Sequence, residues 1–137
     1  MKKLFSFLTI LALLTGGALA ESAPAPEGVA ETIWGFQETY PDGYLWNGED
    51  TDFLQTVSDA AFGSLPARRV KPVEYEALRP GDILRLKKDT YSVMFLEKLD
   101  SYVTVVELWT NGRVYWGRTL SKSAAEAGDY VMTRYPE

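Results

Sequence analysis

The 137-residue chain contains no cysteine and no histidine. Without cysteine it has no disulfides, no thiol nucleophile and no thiolate metal ligand. Without histidine it lacks the side chain that titrates nearest neutral pH and is the commonest ligand for transition metals. Neither a metal nor another cofactor is therefore expected. Positive charge is also scarce: 14 Lys and Arg stand against 19 Asp and Glu, a net charge of −5. No basic patch is present, so nucleic acids and anionic surfaces are disfavoured as partners.

What the chain does have begins with a separable leader. Lys2 and Lys3 precede an apolar run from Leu4 to Leu14, and the small-x-small triplet Ala18-Leu19-Ala20 closes the segment before Glu21. This is the pattern of a secretory signal peptide over residues 1–20. Ser6, Thr9, Thr15, Gly16 and Gly17 interrupt the run, which falls short of the roughly 20 apolar residues of a membrane span. No cysteine follows it to carry a lipid. The expectation is a secreted, extracytoplasmic protein with no stable membrane anchor, whose core must hold without disulfides. Residues 21–28 (ESAPAPEG) are small, proline-rich and acidic, a flexible lead-in, and one domain is expected over 29–137.

Apolar periodicity divides that domain in two. Val29, Ile33, Phe36 and Tyr40 recur at three- to four-residue spacing, which predicts a helix over Val29–Thr39 ended by Tyr40-Pro41-Asp42-Gly43. Phe53, Leu54, Val57, Ala60 and Ala61 form one stripe and predict a second helix over Thr51–Phe62, stopped by Gly63 and capped by Asp50 or Thr51. After Pro80-Gly81 the pattern becomes extended. Asp82–Leu86, Tyr91–Leu99, Tyr102–Thr110 and Arg113–Arg118 read as strands, with two-residue turns at Asp100-Ser101 and Asn111-Gly112, the latter a favoured type I′ pair. A short helix around Ser121–Ala127 leads to a last strand at Tyr130–Arg134. Helices first and antiparallel strands second define an α+β domain.

Several stretches in one order carry a family resemblance: YPDGYLWN (40–47), SDAAFGSLPAR (58–68), RPGDILRL (79–86), DTYSVMFLEK (89–98), NGRVYWGRTLS (111–121) and YVMTRYP (130–136). Together they resemble secreted bacterial papain-like domains of the NlpC and CHAP type, cysteine peptidases and amidases of the cell wall. The resemblance implies N-terminal helices followed by an antiparallel β-meander or open barrel. It also implies a nucleophilic cysteine at the start of the second helix and a histidine base opening the strand after the Gly-Asp strand. Here those two positions fall on Asp50 and Tyr91. An aspartate is a poor nucleophile toward amides, and tyrosine, with an ordinary pKa near 10, is not a base at neutral pH. The resemblance therefore implies a degenerate domain, catalytically inactive as a cysteine peptidase or amidase.

The residues expected to line the remaining groove are Asp50, Tyr91, Glu107, Trp109 and Tyr115. The expected partner is a peptide, such as a peptidoglycan stem peptide, or another protein. With the Asp100-Ser101 hairpin in simple register, Tyr91 lies opposite Thr110 and on the face of Leu108; a one-residue slip replaces these with Glu107 and Trp109. Asp50 with Glu107 could instead serve as an acid–base pair in a different hydrolase, and a third reading is a purely structural or decoy domain. Glu49, Asp50, Asp52 and Glu107 are also candidates for a glycosidase pair or a calcium site, although Asp50-x-Asp52 lacks the glycine and downstream glutamate of a calcium loop. At the helix start, Asp50 reads first as a cap. Four tryptophans and eight tyrosines are available. Trp34 and Trp116 are expected in the core, while Arg113, Arg118 and Arg134 read as charges on exposed strand faces.

Overall fold

The computed structural model describes residues 26–46 and 52–137. The predicted signal peptide, most of the lead-in and the candidates Glu49 and Asp50 lie outside the described residues.

Helix α1 spans Val29–Thr39 and α2 spans Phe53–Phe62. Asp52, in extended conformation, occupies the N-cap of α2, although its side chain accepts no capping hydrogen bond. The strands are β1 (Arg68–Val70), β2 (Ile83–Leu86), β3 (Tyr91–Lys98), β4 (Tyr102–Leu108), β5 (Val114–Ser121) and β6 (Tyr130–Thr133); a five-residue helix α3 (Lys122–Glu126) links the last two. All pair antiparallel in one open sheet of order β1-β6-β2-β3-β4-β5. Strands β2 to β5 make the expected meander, but β6 leaves it and inserts between β2 and β1. The three-residue β1 carries two arginines in its RRV sequence and so gives little strand signal, as befits an edge that must not pair with other chains.

Both faces of the sheet are covered, which is why β3 and β4 read as nearly continuous apolar runs. On one face α1 and α2 pack Val29, Ile33, Phe53, Leu54 and Val57 against Met94, Leu96, Val106, Val114 and Trp116. On the other, Val73, Tyr75 and Leu78, from the segment around a single 3₁₀ turn (Tyr75–Ala77), join Ala125 of α3 over Leu84, Val93, Phe95, Val103, Val105 and Val131. Trp116 is buried and donates its indole N–H to the Tyr40 carbonyl at 2.7 Å. Trp34 departs from expectation: it is 37% exposed and covers Trp116 from outside, with ring centroids 5.8 Å apart.

Two irregularities set the side-chain directions that matter below. Between Phe95 and Glu97 the β3–β4 register shifts, leaving Leu96 as an extra residue. Between Val105 and Val106 the β4–β5 register shifts across Gly117, whose φ of 89° suits glycine. This second bulge turns Trp116 toward the helices and Arg118 toward the opposite face; without it the two, being two residues apart, would share a face. The β4–β5 turn also differs from a two-residue type I′ loop. Gly112 N–H donates to the Trp109 carbonyl and Trp109 N–H to Arg113, so Thr110 and Asn111 are the central residues, and of that turn only Gly112 has positive φ. This is the three-residue hairpin loop with a glycine bulge.

Candidate functional site

Because of the Leu96 bulge, the pairing of Met94 with Val106 carries the slipped register to the beginning of β3. Tyr91 therefore shares a face with Glu107 and Trp109, the alternative register rather than the simple one. That face is the one opposite α1 and α2. Ser92, not Tyr91, is directed to the α2 side, where it accepts a hydrogen bond from Arg85. The pairing of Tyr91 with the start of the second helix across one groove is thus corrected: residue alternation places them on opposite sides of the sheet.

Two of the cavities among the described residues take in the residues expected to form the site. The α2-side cleft, of about 560 Å³, runs from Asp52 and Ser58 to Arg69, Ser92 and Arg134. Its arginines are largely engaged in structure. Arg134 ties down the end of α2 by donating to Gly63 O, Leu65 O, Ser58 Oγ and Asp59 Oδ1 at 2.7–3.1 Å. This satisfies carbonyls that a helix end leaves free. Its expected role as an exposed strand-face charge is corrected accordingly. Arg85 holds Asp89 through Nε at 2.6 Å.

The far-face pocket, of about 600 Å³, gathers Tyr91, Glu107 and Trp109 with Lys87, Arg118 and Leu120, and Ala124 and Ala127 close one side. Trp109, 42% exposed, lies against Tyr115 with centroids 4.2 Å apart. Three of the expected groove residues, Tyr91, Glu107 and Trp109, thus line this pocket, Tyr115 touches it only through Trp109, and Asp50 lies outside the described residues.

Glu107 forms the floor and has no exposed surface. Arg118 donates Nε to Oε2 at 2.5 Å and Nη2 to Oε1 at 2.9 Å, and the Tyr91 hydroxyl donates to Oε1 at 2.6 Å. Burial alone would raise the carboxyl pKa. The hydrogen bonds from Arg118, then Tyr91 and Trp109, outweigh it and hold Glu107 below its ordinary value. Burial and the bond to Glu107 push the Tyr91 phenol well above its ordinary range. Glu107 is a locked carboxylate, the reverse of a catalytic acid, which needs a raised pKa. Asp52 is on the α2 side of the sheet, so it forms no carboxylate pair with Glu107.

Lys87 stands at the mouth, its ammonium 5.2 Å from the Tyr91 ring centroid. It opens a left-handed turn in which Lys87, Lys88 and Asp89 have φ of 52°, 56° and 66°. Such a conformation costs about 1–2 kcal/mol per non-glycine residue. Bonds from Arg85, from the Tyr130 hydroxyl to Asp89 Oδ1 (2.8 Å), and from the Asp89 N–H to Asp129 (2.6 Å) hold it in place.

Sequence reasoning missed Lys87, Leu120 and α3 as parts of this pocket. Arg118 is exposed as expected, with 41% of its side chain in solvent, but sequence reasoning missed that its guanidinium is bonded to Glu107. The one available signal was Gly117 between Trp116 and Arg118, a bulge marker. Comparison of the chain with protein-family models, curated proteins and solved structures found no match.

Proposed function

We propose that the protein is a secreted, catalytically inactive domain of papain-like type that binds a peptide bearing carboxylates, of the kind found in cell-wall stem peptides, in the far-face pocket. The observation that carries this reading is the pocket's division of labour. Its one buried acid is neutralised by Arg118 and Tyr91, leaving aromatic and aliphatic walls (Trp109, Leu86, Leu120) and a cationic mouth (Lys87). An apolar body with a negative end fits that surface, and the volume lies within the usual range for ligand sites. The papain-like assignment draws support from the sequence motifs and from the α2-on-sheet arrangement. The base position that the resemblance implies, Tyr91, faces away from the helices, and neither it nor its neighbour Ser92 on the helix side can act as a base.

The test is calorimetry of the purified chain with muropeptides that retain a free carboxylate, with mass spectrometry of the recovered ligand. Saturable binding, lost in Trp109→Ala and weakened in Lys87→Glu, with the peptide returned intact, is expected. Cleavage of the peptide, or binding indifferent to both substitutions, would overturn the reading.

A further inference from the structure

The open sheet leaves β5 as an edge, and the two halves of that edge differ. The chain itself closes the first half. Gly43 N–H donates to the Val114 carbonyl at 2.8 Å, Val114 N–H to the Tyr44 carbonyl at 2.9 Å, and Asp42 Oδ1 accepts the Trp116 N–H at 2.7 Å. Past Trp116 this cover ends. In an antiparallel ladder alternate residues bond to the neighbouring strand and those between them point away. Lys122 N–H bonds to the Ser101 carbonyl in the line of β4 at 2.9 Å, and Leu120 pairs with Val103, so Thr119 and Ser121 point outward. Both are exposed. Among the described residues the Thr119 N–H and C=O and the Ser121 N–H have no partner on that side. Such unpaired groups are a template for a further strand. Residue alternation then relates this edge to the pocket: Arg118 and Leu120, on either side of Thr119, both line it. A strand added about 4.8 Å beyond β5 lays alternate side chains beside Arg118 and Leu120, at the open side of the pocket. No acidic side chain stands on residues 117–121. The bulge at Gly117 and the shortness of the open stretch work against long edge-to-edge pairing between copies and suit a guest of a few residues.

We propose that the peptide is held as a strand added to the free half of β5, exchanging main-chain hydrogen bonds with Thr119 and Ser121 while its side chains enter the pocket. This rests on the peptide-binding reading above and gives it a mode in which the main chain supplies affinity and the pocket selects side chains. The test is hydrogen exchange and calorimetry of the folded chain with a carboxylate-bearing stem peptide and with versions of it singly N-methylated at each peptide bond. The stem peptide is expected to slow exchange at the Thr119 and Ser121 amides. At least one N-methylated version should bind about tenfold more weakly, the scale of one main-chain hydrogen bond. Thr119→Pro, which removes an N–H that the β4–β5 ladder does not use, should weaken binding by a similar factor. If that variant fails to fold, the exchange and N-methylation results on the unaltered chain decide. Binding with unchanged exchange at both amides and equal affinity for every N-methylated version would overturn this mode while leaving the pocket reading standing; no binding of the stem peptide would remove both. Protection of the Thr119 amide that rises with concentration of the free chain, together with a dimer in sedimentation, would give the edge to a second copy instead.

Discussion

Glu107, Arg118 and Tyr91 show how a single buried charge is made tolerable. Removing one partner of a buried pair is costly because the other charge is left without compensation, about 3–5 kcal/mol for full burial. Arg118 is partly in solvent, so Arg118→Ala should lower unfolding free energy by about 2–3 kcal/mol in denaturant melts. Replacing both members, as Glu107→Leu with Arg118→Met, should recover most of that loss, since apolar replacement of a buried pair is often neutral or better. If the double variant proves no more stable than Arg118→Ala, the pair is not what the floor of the pocket needs. At this scale sequence was a partial guide. Residue type identified Glu107 and Trp109, but the partner of Glu107 depended on two bulges, each moving one residue, that no periodicity reveals.

Helices α1 and α2 and strands β2 to β6 were legible because each carries a strong apolar pattern, and α1 falls at Val29–Thr39 as expected. Strand β1 and the 3₁₀ turn were not, since three residues with two arginines, or one turn of YEA, hold no period. Trp34 was misplaced because helical spacing does not say how much of a ring the neighbour covers. Two element-scale predictions follow from backbone geometry. Gly117→Ala, with φ of 89° and nothing near the added methyl, should cost about 1–2 kcal/mol through backbone strain alone. It should also loosen the Arg118–Glu107 contact, visible as new exchange protection loss in β5. In the left-handed turn, Lys88→Gly should instead raise stability by up to about 1 kcal/mol in thermal melts, because glycine removes the strain at φ 56°.

The whole molecule couples these parts through pH. Burial raises Asp82 from 3.8 to about 6, against smaller opposing effects of Thr133 and Arg79. A raised folded-state pKa means that the folded form holds this proton more tightly. The resulting stabilisation is complete below the unfolded value near 4 and is lost as pH rises through about 6. Asp59 and Asp89 are lowered, chiefly by hydrogen bonds from Arg134 and Arg85 respectively, so their contribution is present above pH 4 and fades below it. Stability should therefore peak between about pH 4 and 6 and fall toward pH 7.5, by on the order of 2 kcal/mol from Asp82. Asp82→Asn should flatten that fall, and a profile still falling equally in the variant would exclude Asp82 as its source.

The order of layers, with helices on one face and a shallow cover on the other, was anticipated only as an α+β class. Which face carries the site was decided by Leu96 and Gly117. The most direct measurement is therefore chemical-shift mapping of the ¹⁵N-labelled chain with a carboxylate-bearing muropeptide. The account predicts perturbations concentrated at Lys87, Trp109, Thr110 and Leu120. Perturbations concentrated instead at Ser58, Arg69 and Ser92, in the cleft beside α2, would contradict it.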